Sequence, residues 1–135
     1  MNVARGSFQV TSTPHPPYDA GIGATLGRVT LQKAFEGDLV GSSTVEMIAA
    51  RSTVKGSAGY VAIERVSGTL HKDGAPFTGT FVVQHSGTMF RGAQSLSVTI
   101  VPDTGTGQLV GINGRFTIEI VLSKHFYTLS WELGA

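Results

Sequence analysis

Apolar and polar residues alternate one by one through most of this chain. The alternation is clearest over residues 77–89, where apolar side chains hold odd positions and hydroxyl or amide side chains hold even ones: Phe77, Phe81, Val83 and Met89 against Thr78, Thr80, Gln84, Ser86 and Thr88. A period of two is that of a β-strand with one buried face. No stretch sustains the i, i+3, i+4, i+7 spacing of an amphipathic helix, so the pattern predicts an all-β protein.

Eight segments carry this alternation, and turn-forming residues separate most of them. The predicted strands cover residues 4–13, 24–35, 39–51, 59–70, 77–89, 95–102, 108–121 and 125–133. Turns are predicted at 36–38, 72–76, 91–92 and 103–107, with a weaker signal at 122–124. Long strands joined by short turns favour a closed barrel over a sandwich, because closure leaves no exposed sheet edge. We therefore expect a single closed antiparallel barrel of about eight strands, with little or no helix, as one domain over residues 1–135.

The longest polar connection, Pro14–Gly23, contains three prolines. Proline fixes φ and lacks an amide hydrogen, so the segment is predicted to be stiff and not to form a strand. Two interpretations stay open: a cap over one mouth of the barrel, or a rigid surface loop.

The parity of the apolar residues predicts which side chains form the core, because a slip of one residue would turn every side chain to the other face. The predicted core residues are Val29, Leu31, Phe35, Val45, Met47, Leu96, Val98, Ile100, Phe116, Ile118, Ile120, Tyr127, Leu129, Trp131 and Leu133.

Composition and charge narrow the range of partners. The net charge is +1, and the ten Lys and Arg residues are scattered singly, which argues against nucleic-acid binding. With no cysteine, the chain has no disulfide and no thiolate ligand or nucleophile. The four histidines lack H-x-H or H-x-x-x-H spacing, so no metal and no cofactor is predicted. No apolar stretch approaches a membrane span and no leader is visible, so we expect no membrane contact and a cytoplasmic protein.

Two histidines fall on predicted apolar faces. His85 shares parity with Phe81 and Val83, and His125 shares parity with Tyr127 and Trp131. If these faces point inward, the interior holds two imidazoles, a phenol and an indole, each of which needs a polar partner. The histidines are then either satisfied core or rim residues, or groups that orient a ligand or act as a general base.

The segment Tyr60–Val66 has apolar and polar residues on both faces, so its register stays open. Either Glu64 or Arg65 must point inward, and a regular strand cannot turn both inward. An inward Glu64 beside an imidazole would form an acid–base pair. Glu64 ranks above Glu46 as a candidate, because Glu46 faces outward if its neighbours are core.

The glycine-rich segment 105–114 has the spacing G-x-G-x-x-x-G and continues as a predicted strand. A dinucleotide-binding turn needs G-x-G-x-x-G opening a helix, so we reject that interpretation. Segment 105–116 instead resembles the glycine-patterned strand of allene-oxide-cyclase-like and dirigent-like barrels.

Three further segments, residues 55–68, 84–89 and 98–107, resemble a family of small bacterial proteins with that fold, the domain of unknown function 3224. With 6–8 and 125–127, the resemblance spans almost the whole chain. It implies an eight-stranded, calycin-like antiparallel barrel that often forms oligomers, hence a homo-oligomer, and it implies no known catalytic residue. The isomerase activity of allene oxide cyclase on a fatty-acid epoxide would be an analogy of fold alone.

Three functions remain open, and the sequence does not decide whether the protein is an enzyme. The leading one is a barrel that binds a small, largely apolar molecule. Its candidate lining residues are Tyr60, Glu64, His85, His125, Tyr127 and Trp131. The second is a metal-independent isomerase or cyclase that uses the same carboxylate and imidazoles. The third is a fully packed barrel that acts through its outer surface as an oligomeric interaction module.

Overall fold

The alternating segments form strands that pair antiparallel in a closed ring. The computed structural model describes residues 1–134, with strands β1 (Asn2–Pro14), β2 (Asp19–Ala20), β3 (Ala24–Gly37), β4 (Leu39–Ser52), β5 (Ala58–Lys72), β6 (Ala75–Phe90), β7 (Ala93–Ile100), β8 (Ile112–Val121) and β9 (Lys124–Leu133). The strand order is β1-β9-β8-β7-β6-β5-β4-β3-β2, and an additional β1–β3 pairing closes the barrel. The two-residue strand β2 pairs only at the edge of β3. The predicted eight-stranded barrel is thus confirmed, with one short extra strand.

Phe8 marks the point where the ring closes. It lies opposite Phe35 on β3 and opposite His125 on β9, so the first strand is hydrogen-bonded on both sides. Each of the eight long strands has a neighbour on both sides, and the shortest pairing is that of β7 with β8, at Val98–Phe116 and Thr99–Arg115.

Two segments differ from their sequence-based predictions. Residues 108–111 were predicted to extend a strand, but Gly107–Leu109 form a 3₁₀ turn and β8 begins only at Ile112. Gly107 and Gly111 take positive φ angles of 60° and 85°, which end the strand geometry. The fully buried Leu109 between them fills one end of the barrel.

The connection after β1 also differs. The prolines were expected to exclude any strand, but Pro14 is the last residue of β1, and Asp19–Ala20 pair with Thr25 and Leu26. Pro14 sits at a strand terminus and β2 begins beyond the last proline, so no proline interrupts a central ladder. Pro17 borders the cavity of the barrel, and the choice between a cap and a rigid surface loop stays open.

Eight of the fifteen predicted core residues are buried, and Leu96, Ile120 and Leu133 are exposed. Leu96 and Ile120 have the predicted inward parity, yet Ile120 is 60% exposed. The prediction that these two residues and Leu133 are core is wrong. Parity gives the direction in which a side chain points, but it does not say whether other side chains pack against it there. Leu96 and Ile120 face an open space, and Leu133 is the last residue of β9.

The barrel consequently has two unlike halves. The packed end is where β1 and β8 begin and β9 ends; Leu39, Leu70, Leu109 and Trp131 fill it and are almost completely buried. The open end is where β1 and β8 finish, and its loops surround a cavity. Within residues 1–134, no helix has the length and apolar character needed to cross a membrane.

Candidate functional site

The open half of the barrel encloses a cavity of about 610 Å³. This volume lies in the range of pockets that hold small organic ligands. The apolar side chains on its wall include Val10, Leu31, Val45, Met47, Met89 and Ile118. The cavity exists because small residues replace large ones at inward positions: Gly27, Ala49, Ala58, Ala62 and Gly87. A methyl group added at Gly27 would meet no atom within 4 Å.

The polar centre of the site lies at the bottom of the cavity, on β5 and β6. Along β5 the inward residues are Tyr60, Ala62, Glu64 and Val66, whereas Arg65 is exposed. This answers the register question in favour of Glu64. Its carboxyl group lies just beneath the surface that Lys33 and His85 form, and it borders a separate space of only about 10 Å³.

Three side chains from three strands converge on the Glu64 carboxylate. His85 Nε2 lies 2.6 Å and Lys33 Nζ 3.1 Å from Oε1, while the hydroxyl of Ser43 donates to Oε2 at 2.5 Å. Glu64 is 3% exposed, so these contacts are shielded from bulk water. Both carboxylate oxygens are therefore satisfied, as a buried charge requires.

The surroundings of Glu64 favour its ionised form. Burial alone raises the pKa of a carboxyl group, but the hydrogen bond from His85, the charge of Lys33 and the hydrogen bond from Ser43 outweigh it. The pKa of Glu64 is therefore lowered from its usual value. At neutral pH the group is a carboxylate that accepts hydrogen bonds from its neighbours.

His85 connects this carboxylate to the cavity. Its Nε2 atom faces Glu64, and the ring also lines the cavity wall. Among residues 1–134, every fully buried polar side-chain atom has a hydrogen-bond partner, and the structure shows none for Nδ1 of His85. Nδ1 is therefore not fully buried. A carboxylate that accepts from Nε2 holds the imidazole in the tautomer with its proton on Nε2.

Two members of the cluster, Lys33 and Ser43, were missed by sequence reasoning. Lys33 stands between Leu31 and Phe35 on β3 with inward parity, and its ammonium group lies 4.9 Å from the centre of the Phe8 ring. Ser43 shares the inward parity of Val45. The parity rule could have found both, but Lys and Ser are ordinarily surface residues, so an inward parity is a weak signal for them.

Tyr60 and His125, which the sequence predicts as lining residues, both border the cavity. The Tyr60 ring lies against Gly87, where any side chain would collide with it. Burial, and then the negative charge of Glu64, raise the pKa of Tyr60, so the phenol stays protonated. His125 stacks against Phe8 with ring centres 5.2 Å apart.

The other two predicted lining residues, Tyr127 and Trp131, lie outside the cavity. The Tyr127 hydroxyl accepts from the Leu39 amide at 2.9 Å and donates to the Glu36 carbonyl at 2.8 Å, which ties β9 to the β3–β4 turn. Burial raises the pKa of Tyr127. Trp131 packs edge-on against Phe77 at 5.8 Å. Both residues stabilise the packed end.

The site brings together a carboxylate, an ammonium group and imidazoles, but not in a metal-binding arrangement. Within residues 1–134, no group of three His, Cys, Asp or Glu side chains is placed to hold a metal ion. Glu46, the lower-ranked candidate, points outward and pairs with Arg28 at 3.3 Å. The chemistry open to the site is hydrogen bonding and proton transfer.

Comparison with known proteins places this barrel in a family. A model of proteins of unknown function, DUF3224, matches residues 4–131. A crystal structure of a protein of unknown function from the same family, from Shewanella oneidensis MR-1, is 41% identical and superposes with a TM-score of 0.91; the match covers 100% of this chain and 99% of that one. No curated protein matches the chain. The chain therefore belongs to the DUF3224 family of proteins of unknown function.

Proposed function

We propose that the protein binds a small, largely apolar molecule in the open half of the barrel. The observation that supports this most directly is the cavity of about 610 Å³, which is walled by apolar side chains and continuous with solvent at one end. Burial of apolar ligand surface contributes roughly 25 cal/mol per Å², so such a wall favours binding of apolar molecules.

A polar group on the ligand has a defined place in this proposal. Lys33 and His85 are the polar residues at the bottom of the cavity, and the Glu64 carboxylate beneath them fixes both side chains. Side chains held by buried hydrogen bonds lose little further entropy when a ligand binds. The ligand therefore places its apolar part against Met47 and Met89, and a hydrogen-bonding group against His85 Nδ1 or Lys33 Nζ.

The test is a titration with Nile red, a neutral dye that fluoresces in apolar surroundings. The cavity is blocked by Ala49→Trp, and the matched control is Ile48→Trp, which places the same indole on the outer face of the same strand, since Ile48 is exposed. We expect Ala49→Trp to weaken dye binding by at least about tenfold, which corresponds to about 1.4 kcal/mol. The control should bind as the wild type does. Equal binding by both variants would contradict the proposal.

A second candidate function is proton transfer, as in a metal-independent isomerase or cyclase. The observation that favours it is the carboxylate–imidazole pair: Glu64 holds His85 Nε2 at 2.6 Å, and Nδ1 remains free to accept a proton from a bound molecule. A positioned general base accelerates reactions by about 10²–10⁴-fold.

A suitable probe for this candidate is 5-nitrobenzisoxazole, a small apolar compound that needs only a base. Removal of its C3 proton breaks the N–O bond and leaves a cyanophenolate, so no other reactant is consumed. We expect turnover above that of free imidazole, and its loss in His85→Gln. Nile red binding by the same variant serves as the control for an intact cavity. Equal turnover by His85→Gln and the wild type would exclude His85 as the base.

The third candidate, a packed barrel that works through its outer surface, requires a filled interior. The cavity favours the binding function over it. Homo-oligomer formation stays a prediction, and sedimentation velocity over a range of protein concentrations would test it.

A further inference from the structure

The loops around the cavity opening expose large apolar side chains to solvent. We define the mouth rim as residues 15–23, 51–57, 90–93 and 121–124. Its exposed apolar residues are Tyr18, Ile22, Val54, Phe90, Val121 and Leu122. Each of the four rim segments contributes at least one of them, so exposed apolar residues occur on every connection at the open end. Scattered single apolar residues are normal on a protein surface, but a ring of them around a pocket marks an interaction site.

One of these residues is exposed at a conformational cost. Leu122 and Ser123 form the turn between β8 and β9 with φ angles of 49° and 67°. Such turns ordinarily use Asn, Asp or Gly, because a side chain at positive φ is strained. Leu122 is also 93% exposed, so burial does not explain a leucine at this position. Strain of this kind is concentrated at functional sites.

The same rim is positively charged. Four exposed cations lie on it, Arg51, Lys55, Arg91 and Lys124, against a single acidic residue, Asp19. The Asp19 side chain accepts from the Gly21 amide within its own loop. The rim therefore presents an excess of positive charge among its apolar side chains.

The packed end has the opposite character. Its loops, residues 37–38, 73–74 and 101–111, contain Asp38, Asp73 and Asp103, and the cation that adjoins them in sequence is Lys72, the last residue of β5. The exposed apolar residue in these three loops is Val110. A chain of net charge +1 thus separates its charges along the barrel axis.

Hydrogen bonds hold three of the four rim segments together. The bonded pairs are Thr53 N to Gly23 O at 3.2 Å, Arg91 N to Ser57 Oγ at 3.0 Å, and Gly92 N to Gly56 O at 3.0 Å. The apolar side chains of these three segments are consequently presented by one connected surface, with little entropy to lose when a partner binds.

We propose that the mouth rim docks the barrel on a membrane surface that carries anionic lipids, with the cavity opening toward the bilayer. Apolar side chains among Lys and Arg are the combination that inserts into the headgroup region, where the cations meet lipid phosphates. The cavity opening lies within this surface, so a molecule can pass between bilayer and barrel without crossing bulk water.

This proposal departs from the sequence-based expectation of no membrane contact. That expectation rested on the lack of an apolar stretch long enough to span a bilayer and of a leader, and neither bears on docking at a membrane surface. The four rim cations are separated by up to 73 residues along the chain, between Arg51 and Lys124, and the barrel brings them to one end, because every second inter-strand connection lies there. The proposal does not depend on the proposed function, since the rim exists whether or not a ligand occupies the cavity.

The test is co-sedimentation of the full chain with vesicles of equal parts phosphatidylglycerol and phosphatidylcholine, and with vesicles of phosphatidylcholine alone. We expect stronger binding to the mixed vesicles, and weaker binding at high salt. The apolar variant is Leu122→Asn with Phe90→Ser, and the charge variant is Lys55→Glu with Lys124→Glu. Each should reduce binding by at least about tenfold. Asn suits the positive φ of residue 122, so the turn is retained.

Matched controls lie at the packed end. Val110→Ser and Lys72→Glu make the same kinds of change on exposed residues there, and we expect them to leave vesicle binding unaltered. Nile red binding in solution should persist in both rim variants. The Ala49→Trp variant, by contrast, should no longer bind Nile red but should still bind the vesicles. The two proposals can therefore fail separately.

Three outcomes would overturn the membrane proposal. In the first, the wild type stays in the supernatant. In the second, the packed-end variants lose vesicle binding as strongly as the rim variants do. In the third, the protein forms a concentration-dependent dimer, and Leu122→Asn dissociates it. The last would show that the rim is an interface between two copies of this chain.

Discussion

The two halves of this barrel are built from the same strands but differ in how their interiors are filled. At the packed end the inward positions carry Trp131, Leu39 and Leu70, and almost no space remains. At the open end the same strands carry Ala49, Ala62 and other small residues, and a cavity of about 610 Å³ results. The alternation of apolar and polar residues is the same in both halves. The size of the inward residues decides whether the interior is core or pocket.

The comparison also separates the residues that stabilise the fold from those that line the proposed binding site. The packed end buries its large side chains completely, whereas the cavity wall leaves Leu31, Met47 and Ile118 half-exposed. Half-exposed apolar side chains contribute less to folding and keep free energy available for a ligand. The charged cluster of Glu64, Lys33 and His85 lies at the boundary between the halves. The predictions below test this division of the molecule.

The largest expected effect is loss of the packed core. Trp131→Ala removes a side chain that is 1% exposed, and we expect it to lower the free energy of unfolding by about 3–5 kcal/mol. Met47→Ala, on the cavity wall, should cost only about 1–2 kcal/mol, because its side chain already borders open space. Urea unfolding monitored by circular dichroism measures both. Equal losses would contradict the division into a stabilising end and a binding end.

The next largest effect on the free energy of unfolding is expected at Glu64, at the boundary between the two halves, and it depends on pH. Glu64→Gln leaves Lys33 without its partner carboxylate, so we expect a loss of about 2–4 kcal/mol at neutral pH. The pKa of Glu64 is lowered in the folded state, so its contribution is present above the unfolded pKa of about 4.3 and is lost as pH falls through the folded pKa. The difference in unfolding free energy between wild type and variant should therefore shrink in acid. A difference independent of pH would show that ionised Glu64 does not stabilise the fold.

A smaller effect should follow from Tyr127→Phe at the packed end. The substitution keeps the ring but removes the acceptor for the Leu39 amide, and an unpaired buried donor costs about 1–3 kcal/mol. Nile red affinity should not change, because the hydroxyl lies outside the cavity. A change in dye affinity without a loss of stability would place Tyr127 in the site after all.

The smallest effects distinguish the two ends through a single methyl group. Gly27→Ala projects into the open cavity with no atom within 4 Å, and reduced flexibility of the unfolded chain should stabilise the fold by about 0.4–1 kcal/mol. Gly79→Ala, at the packed end, would collide with the Thr106 carbonyl and should destabilise it. Thermal unfolding by calorimetry gives the sign of each change. Destabilisation by both would argue that the open half is filled.

The positions of the strands, and which residues of a strand share one face, could be predicted from the sequence, because both depend on a local period of two. Residues 58–72 illustrate the limit: alternation alone left Glu64 and Arg65 equivalent, and the pairing of β5 with β4 and β6 decided between them. The buried Lys33 was missed although its parity pointed inward, because its partner Glu64 is 31 residues away.

The position of the cavity within the barrel and the mouth rim could not be predicted for a related reason. Both depend on which residues of different strands lie at the same height in the barrel, and this stagger is set by closure of the whole sheet. The placement of Tyr127 and Trp131 shows the same limit, since they share parity with His125 but lie nearer the packed end.

The most direct test of the binding site uses the three methionines of the chain. Met47 and Met89 line the cavity, whereas Met1 is 75% exposed at the amino terminus and serves as an internal control. With ¹³C-methyl-labelled methionine, titration with octan-1-ol followed by NMR should shift the Met47 and Met89 methyl signals together and leave Met1 unchanged. If the alcohol moves neither cavity methyl, or moves all three alike, the open half of the barrel is not a binding site.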